Sequence, residues 1–521
     1  MEDTRGPTDY TGWTKEALIA RLQDLERQTS SSAAPDASEV APDVPGETPD
    51  VSGETPDVPQ DEPETPRKRK VQVDRFDFSQ FPQRKVAFKF SYFGWPYHGL
   101  ARQGSALESD CKRQIEELYP TVEGELLRAL ARCKLIISES ECDYSRCGRT
   151  DRGVSGFGQV VSLYVRSTGR FLSEEEAAEI AASGAAESAL VVRDEINGGR
   201  PVLLPPPERE LPYATMLNKH LPAEIRILAW SPVRADFSAR FSCRSRFYRY
   251  FFSEEGLDIG AMREAAKKFL GAHDFRNFCR LDPAKQIQNF ERAVLAVDIN
   301  PVVPQVSFVG DAASPMGRWW QLELRGTAFL WHQVRCMMAV LFAVGQGLED
   351  PDIVDKMLDV KAMSGKPEYE MACETPLVLA DSAYDEADIK WRFVRCPGRD
   401  LGNMAQLDRA VSQLWGTLNT QAVLASALLQ NLRSTHVPVL VEAGAAVAGE
   451  PVTDLWANCH AQLVQAEQRK MARPILGGGI VRFAKNYVPL AQRRRADPVE
   501  QRNQTWLERK GPGKRAKSDH P

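Results

Sequence analysis

Residues 145–163 read SRCGRTDRGVSGFGQVVSL and place four charged side chains among glycines, directly before a run of β-forming residues. The charged residues are Arg146, Arg149, Asp151 and Arg152. Glycine permits tight turns and lets a ligand approach the backbone closely. The run that follows, QVVSLYV, predicts a buried strand that would hold the turn in place. The stretch therefore predicts a turn in which one carboxylate lies among three guanidinium groups.

Asp151 has two interpretations at this point. An aspartate in a glycine-rich turn usually only accepts hydrogen bonds from neighbouring amides. The surplus of arginines and the strand behind the turn favour a carboxylate that is held rigidly for chemistry. A nearby guanidinium keeps a carboxylate ionised, which suits a nucleophile better than a general acid.

Length and composition limit the class of protein. A chain of 521 residues predicts about two to four domains, and 43% hydrophobic with 26% charged residues is typical of a soluble globular protein. The ten cysteines form no CxxC pair, which favours reduced thiols inside the cell and no metal site. The N-terminus resembles neither a signal nor a transit peptide. The most apolar helix candidate, residues 328–344, is short and contains His332 and Arg335, so we expect no membrane span.

Charge is distributed unevenly along the chain. The net charge is −5, yet residues 30–66 contain ten acidic and no basic side chains, which leaves +5 for the remainder. Residues 467–521 contain fourteen Lys and Arg against five Asp and Glu. A basic body with a basic tail predicts a partner that carries phosphate groups. A tail that only improves solubility explains the charge equally well.

Hydrophobic patterns predict an α+β fold. Residues 86–92 alternate apolar and polar side chains, as a half-buried strand does. Residues 241–252 and the beginning of 318–345 predict further strands, whereas 111–137, 259–271 and the end of 318–345 have helical periodicity. Strands that alternate with helices in two similar halves are typical of α+β proteins.

Four segments resemble, in chain order, the motifs of the TruA-type tRNA pseudouridine synthase family. They are residues 92–103 (YFGWPYHGLARQ), 147–154 (CGRTDRGV), 237–250 (beginning FSARF and ending YRY) and 326–335 (GTAFLWHQVR). Three further stretches are similar to the eukaryotic branch that modifies tRNA positions 38 and 39. They are residues 145–151 (SRCGRTD), 271–278 (GAHDFRNF) and 334–347 (VRCMMAVLFAVGQG).

The resemblance implies a role for each candidate site residue. Asp151 attacks a target uridine that has been flipped out of the RNA. The base then leaves its ribose, turns and rejoins it through carbon 5, a reaction that needs no metal or redox cofactor. Arg149 contacts the flipped nucleotide and its backbone, and Tyr248 stacks on the target base and assists with the proton at carbon 5. Arg335 pairs with Asp151.

Simple packing roles compete with these assignments. Tyr248 lies in a run of aromatic residues and could belong to a strand core. Arg335 lies in an otherwise apolar helix, where an unpaired guanidinium would be costly, so a partner is required. His332 could be a core histidine with satisfied hydrogen bonds, and it is not included in the catalytic set.

The family also implies the fold and the domain order. We expect a pseudouridine synthase fold, with two ferredoxin-like or RRM-like halves joined in one mixed, mainly antiparallel sheet flanked by helices. The predicted segments are a short amphipathic helix (1–30), a disordered acidic Pro-rich linker ending in a basic run (31–83), an N-terminal catalytic half (84–232, with an insertion at 168–210), a C-terminal catalytic half (233–394), and a helical extension with a basic tail (395–521).

The sequence therefore predicts a tRNA pseudouridine synthase that acts on uridines of the anticodon arm, at positions 38 and 39. Two alternatives remain open: the same isomerase chemistry at other tRNA or mRNA positions, and a non-catalytic tRNA-binding or tRNA-folding protein on the same scaffold. The expected partners are tRNA and a second copy of the chain, with no membrane and no metal. The basic run at 67–70 resembles a nuclear-localisation signal, so we expect nuclear and cytoplasmic location, although it could be merely solvated charge.

Overall fold

The computed structural model describes residues 76–102, 118–183, 190–254, 256–302, 318–393, 400–442 and 487–510. The expected amphipathic helix at 1–30, the basic run at 67–70 and Gln103 of the first motif lie outside the described residues. No helix in the described part of the chain is long and apolar enough to cross a membrane.

Strands and helices alternate along the described chain. In chain order they are β1 (Gln83–Tyr92), α1 (Val122–Arg132), β2 (Ser145–Arg146), β3 (Ser155–Arg166), β4 (Arg170–Phe171), α2 (Glu174–Ala182), β5 (Leu190–Val192), β6 (Val202–Leu204), α3 (Tyr213–Asn218), β7 (Ile225–Pro232), β8 (Ser245–Ser253), α4 (Ile259–Lys267), β9 (Gly271–Asp274), β10 (Glu291–Pro301), β11 (Trp319–Gly326), α5 (Gln333–Gly345), α6 (Ile353–Leu358), β12 (Leu377–Ala383), β13 (Arg392–Phe393), α7 (Asp400–Glu442) and α8 (Val499–Lys510).

Ten strands of the described residues form one sheet, in the order β13–β7–β1–β3–β12–β8–β11–β10–β9, with β2 also paired to β3. All neighbouring pairs are antiparallel except β12 with β3. That parallel contact joins Val378 to Ser155 and Leu379 to Gly156, and we call it the seam between the two halves. The expected α+β fold with a mixed, mainly antiparallel sheet is confirmed.

The first half has its own hydrophobic core. Val86, Phe88 and Phe90 of β1 are fully buried and pack with Leu126 and Leu130 of α1. This is the alternation expected for residues 86–92, because successive strand residues face opposite sides of a sheet. Each such buried side chain contributes roughly 1.5–3 kcal/mol of hydrophobic stabilisation.

The second half has a separate core around α5. Met337 and Leu341 of this helix are fully buried and belong to the same cluster as Met262 of α4. The ring of Phe342 meets that of Phe252 in β8 edge to face, with centroids 5.6 Å apart. The helix is therefore a core element, as its apolar sequence predicts.

The segment 168–210 is anchored at its base by a buried ion pair. Glu210 accepts hydrogen bonds from Arg84 (3.2 Å), from the Ser167 hydroxyl (2.6 Å) and from the Thr168 amide (2.9 Å). The Glu210 carboxylate is fully buried and Arg84 is nearly so. Removal of one partner from such a pair costs about 3–5 kcal/mol, because the other charge stays buried.

Residues 487–510 pack onto the second half. Leu490 and Val499 are buried in the α5 core, and both the Tyr487 hydroxyl and the Leu490 amide donate to Glu349 at 2.6 Å. This part of the region 395–521 therefore belongs to the body of the protein. The division into segments 1–30, 31–83, 84–232, 233–394 and 395–521 stays a prediction.

Candidate active site

Asp151 lies on the loop between β2 and β3, immediately before the seam. The Val154 amide donates to the Asp151 carbonyl at 3.1 Å and closes a tight turn. Gly153 has φ of +78° in this turn, a conformation that side chains rarely adopt. The turn leads into Ser155 and Gly156, which pair with β12. The loop is thus held where the two halves meet.

The first motif forms one wall of this loop. The Leu100 amide donates to the Thr150 carbonyl (3.2 Å), and the Gly153 amide donates to the Tyr97 carbonyl (3.3 Å). Gly94 lies so close that a Cβ added to it would be 2.0 Å from the Val154 carbonyl oxygen. Backbone contact of this kind explains why the motif requires glycine at that position.

Tyr92 supports the same loop from below. Its hydroxyl is hydrogen-bonded to the Thr150 hydroxyl at 2.8 Å, and its ring fills the space next to Gly156, where an added Cβ would be 2.7 Å away. Burial raises the pKa of the Tyr92 phenol to about 12. One buried side chain therefore fixes Thr150 of the catalytic loop and Gly156 at the start of β3.

Two side chains from the start of α5 face the Asp151 carboxylate. The indole N–H of Trp331 donates to Oδ1 at 3.2 Å, and Nε2 of His332 lies 3.4 Å from Oδ2. The carboxylate is 28% exposed, whereas the imidazole is only 8% exposed. His332 has φ of +60° and its Nδ1 is buried with no hydrogen-bond partner in the described residues. Asp151 is thus oriented by the second half, yet open to a substrate.

Arg335 does not make the expected pair with Asp151. Its guanidinium donates to Glu374 at 2.7 Å and to the Ala372 carbonyl at 2.8 Å. A largely buried guanidinium requires an anionic partner. That partner is Glu374 and not Asp151. The Glu374 side chain in turn packs against Gly153, where an added Cβ would be 2.7 Å from Glu374 Cγ. Arg335 therefore reaches the catalytic loop through Glu374.

Tyr248 lies in β8 between the seam strand and β11, opposite Leu379 and Leu324. Its ring meets that of Phe329 edge to face, with centroids 5.1 Å apart. Burial raises the pKa of the Tyr248 phenol well above its ordinary value, and the negative groups at Cys147 and Asp151 add to the rise. The phenol is accordingly neutral at pH 7.

Cys147 packs behind the loop against the FSARF segment. Its sulfur lies 3.5 Å from that of Cys243 and 3.3 Å from the Ser382 hydroxyl. Hydrogen bonding to Cys243 lowers the pKa of the Cys147 thiol, and the guanidinium of Arg246 acts in the same direction. Arg246 also donates to the Cys147 carbonyl at 2.9 Å. The third motif thus fixes the start of the catalytic loop.

The three arginines of the loop are not equivalent. Arg146 pairs with the buried Glu123 at 2.7 Å and is structural. Arg149 and Arg152 are exposed, and neither has an ion-pair partner within the described ranges. Arg149 is therefore free to contact a substrate, whereas Arg146 is occupied.

Sequence reasoning missed three residues of the site. Trp331 stands at a variable position of its motif, His332 was set aside as a core residue, and Glu374 lies outside all four motifs. The need for a partner to Arg335 was the only signal for Glu374. His332 lies at the start of a predicted helix that follows a predicted strand. This position was the available signal that the second half provides side chains facing Asp151.

Comparison with known proteins agrees with this architecture. A family profile described as "tRNA pseudouridine synthase" matches residues 265–385. The chain is similar to the tRNA pseudouridine(38/39) synthase of Homo sapiens, with 36% identity over 452 residues, 86% of this chain and 80% of the relative. Proteins of the same name from Bos taurus (39% over 363 residues; 70% and 67%) and Saccharomyces cerevisiae (39% over 382 residues; 73% and 72%) are also similar.

The mixed sheet, the loop at its seam and the matching profile define a pseudouridine synthase, an isomerase that acts on tRNA. The relative from Homo sapiens is aligned over most of both chains. The chain belongs to the TruA-type tRNA pseudouridine synthase family.

Proposed function

We propose that this chain isomerises uridine to pseudouridine at positions 38 and 39 of the tRNA anticodon arm, with Asp151 as the nucleophile. The observation that carries the proposal is the Asp151 carboxylate, which is partly exposed on a rigid loop and faced by an indole N–H and an imidazole. The position numbers come from the names of the relatives. Their 36–39% identity over two thirds or more of each chain supports the same target here.

Asp151 provides what a nucleophile in this reaction needs. An ionised carboxylate forms a bond to the flipped nucleotide while the base leaves its ribose. The base turns in the pocket, and its carbon 5 bonds to the ribose as the bond between ribose and carboxylate breaks. The carboxylate is thereby regenerated, and the proton of carbon 5 is released to water. The base must leave its stack to reach the loop. The open side of the carboxylate supports such access.

Tyr248 is proposed to stack on the target base and to assist with the carbon 5 proton. Its raised pKa keeps the phenol protonated, so its part in the removal of the carbon 5 proton is that of a hydrogen-bond donor and not that of the general base. The edge-to-face contact with Phe329 limits rotation of the ring. A ring of fixed orientation offers a stacking surface at low entropic cost.

Arg335 and Arg149 are proposed to act in different ways. The contacts of Arg335 with Glu374, and of Glu374 with Gly153, support a positioning role for Arg335 rather than direct contact with the reacting atoms. The exposure of Arg149, two residues before Asp151, supports contact with the phosphate groups around the flipped nucleotide.

The test is release of tritium from tRNA labelled at carbon 5 of uridine. We expect Asp151→Asn to abolish release while tRNA affinity stays within about threefold, because the substitution keeps the shape and removes the nucleophile. Asp236→Asn is the matched control, since Asp236 is an exposed partner of Arg234 only. Release by Asp151→Asn at the wild-type rate would remove Asp151 as the nucleophile.

The same assay separates the alternatives. Wild-type protein that binds tRNA without releasing tritium would be a binding or folding protein, and the enzymatic proposal would fail. Mapping of pseudouridine in tRNA and mRNA after deletion of the gene distinguishes positions 38 and 39 from other targets. Loss of pseudouridine only at other positions would contradict the proposed target.

We also propose that the protein acts as a homodimer in the nucleus and the cytoplasm. Exposed apolar side chains at Trp415, Leu424 and Leu428 of α7 support association of two copies. Sedimentation of the full chain checks the mass, and a monomer at micromolar concentration would contradict the dimer. Alanine substitution of residues 67–70 should reduce nuclear accumulation of a fluorescent fusion, and unchanged accumulation would argue against that signal.

A further inference from the structure

A small cleft lies at the start of α5. Trp331 forms part of its wall and is 39% exposed, while its indole N–H donates to Asp151 of the catalytic loop. Phe290 and Leu330 add apolar lining. One aromatic side chain therefore borders both the cleft and the proposed nucleophile.

Two cations of the cleft lie against the ring of Trp331. The guanidinium of Arg280 is 4.9 Å from the ring centroid and the ammonium of Lys285 is 5.8 Å from it. Both side chains are exposed, and neither forms an ion pair with a carboxylate in the part of the chain that the structure describes. Exposed cations beside an aromatic ring form a surface suited to phosphate groups and bases.

The segment that carries these cations is fixed. The Arg280 amide donates to the Trp331 carbonyl at 2.9 Å. Asp282, an acidic residue of the cleft, accepts from the Ala284 amide at 3.1 Å and caps the short turn that ends at Lys285. The charged residues that line the cleft are Arg280, Lys285 and Asp282, so the lining has a net positive charge.

We propose that Arg280, Lys285 and Trp331 form a subsite for the RNA strand that flanks the target uridine, in which the cations bind a phosphodiester and the indole contacts a sugar or base. The proposal rests on the proposed function, because a flipped uridine brings its flanking phosphates to the edge of the catalytic pocket. Structured RNA is recognised largely through backbone contacts and stacking. Both are available in this cleft.

The subsite would also be linked to catalysis through Trp331. RNA that fills the cleft restricts the indole, and the indole N–H restricts the Asp151 carboxylate at 3.2 Å. Correct occupation of the flanking subsite would therefore help to orient the nucleophile. Trp331 is a positioning residue in this proposal, whereas Arg280 and Lys285 are binding residues.

The binding part is tested with the Arg280→Ala/Lys285→Ala double variant of the full chain and unmodified tRNA. We expect the slope of log Kd against log salt concentration to fall by about 1, since roughly one phosphate contact is lost. KM should rise about tenfold with kcat changed less than threefold. Lys267→Ala, an exposed cation on α4 outside the cleft, is the matched control. An unchanged salt slope and KM would overturn the subsite.

The positioning part is tested with Trp331→Phe, which keeps an aromatic ring and removes the N–H donor. We expect kcat to fall about tenfold while KM changes less than threefold, because the Asp151 carboxylate loses the donor that orients it and the aromatic contact with the RNA remains. Trp319→Phe, an exposed tryptophan of β11, is the control. An unchanged kcat would overturn the link, and so would a rise in KM as large as the fall in kcat, because a general loss of the cleft's shape would change both.

Failure of the subsite and failure of the proposed function give different results. Wild-type protein that releases no tritium would contradict the isomerase, yet the salt slope of the double variant would still decide whether the cleft binds RNA. Active wild type with unchanged variants would contradict the subsite alone. Circular dichroism and the unfolding midpoint confirm that each variant is folded before it is assayed.

Discussion

The phenol of Tyr92 lies directly beneath the loop that carries Asp151. Its ring occupies the space beside Gly156 and its hydroxyl is hydrogen-bonded to Thr150. The pKa of this phenol is raised to about 12 by burial. The unfolded chain therefore releases the proton near pH 10, whereas the folded protein retains it until about pH 12.

This difference predicts a pH dependence of stability. A raised pKa in the folded state stabilises the protein below pH 10, and the stabilisation is lost as the pH rises from about 10 to 12. Tyr92→Phe removes the titration, so its free energy of unfolding should fall less steeply over that range. The difference in slope is at most about 1.4 kcal/mol per pH unit, the value for one proton. Urea unfolding between pH 8 and 11.5 measures it.

Tyr119→Phe is the control for this experiment, because the Tyr119 ring is 49% exposed. Its slope should match that of the wild type. Equal slopes for the wild type and Tyr92→Phe would mean that the phenol is not held in its neutral form. The phenylalanine variant should also lose about 1 kcal/mol at every pH through the missing Thr150 hydrogen bond.

At the scale of single residues, the sequence predicted the parts of the site that its motifs contain. It named Asp151, Arg149, Tyr248 and Arg335, whose roles stay predictions. It could not predict that Glu374 binds Arg335, because hydrogen-bond partners depend on side-chain geometry across 39 residues of chain. Trp331 was missed for the same reason.

At the scale of elements, the end of β1 and the catalytic loop are separated by almost no space. A Cβ at Gly94 would lie 2.0 Å from the Val154 carbonyl oxygen. This oxygen belongs to the backbone, so the clash cannot be relieved by a change of side-chain rotamer. We expect Gly94→Ala to displace the loop, to cost about 1–3 kcal/mol of stability, and to lower kcat at least tenfold. Tritium release and thermal unfolding check the two effects.

Gly416→Ala is the matched glycine control. Gly416 lies within α7, and an added Cβ would meet no atom within 4 Å. A helical Gly-to-Ala change of this kind should stabilise the protein by roughly 0.5–1 kcal/mol without changing the rate. A wild-type rate for Gly94→Ala would show that the loop tolerates displacement.

Element boundaries differ from the sequence expectation where local signals were overlooked. Of the stretch 111–137 with helical periodicity, residues 111–117 lie outside the described residues. In the described part α1, Val122–Arg132, begins after Thr121, which caps its first turn. In the segment 168–210, α2 begins with a capping box between Ser173 and Glu176.

The short strands of that segment were not predicted. β4, β6 and β5 form a separate three-stranded sheet in the described residues. Strands of two or three residues have no measurable alternation, so periodicity cannot reveal them.

At the scale of the whole molecule, periodicity was sufficient to predict the α+β class. It did not predict which strands meet at the seam. The pairing of Ser155 with Val378 joins residues that are more than two hundred positions apart, and no local pattern encodes such a register. The sequence also did not predict that residues 487–510 pack into the second core. Leu490 and Val499 lie in a basic tail whose apolar residues show no regular period.

The seam has a consequence for the order in which the protein is made. Asp151, the proposed nucleophile, belongs to the first half, whereas Trp331, His332 and the Arg335–Glu374 pair belong to the second. A ribosome therefore completes the segment containing Asp151 long before the residues that face it exist. Until synthesis has passed Leu379 and β12 has joined β3, the nascent chain contains Asp151 without these residues, and we expect it to leave RNA unmodified.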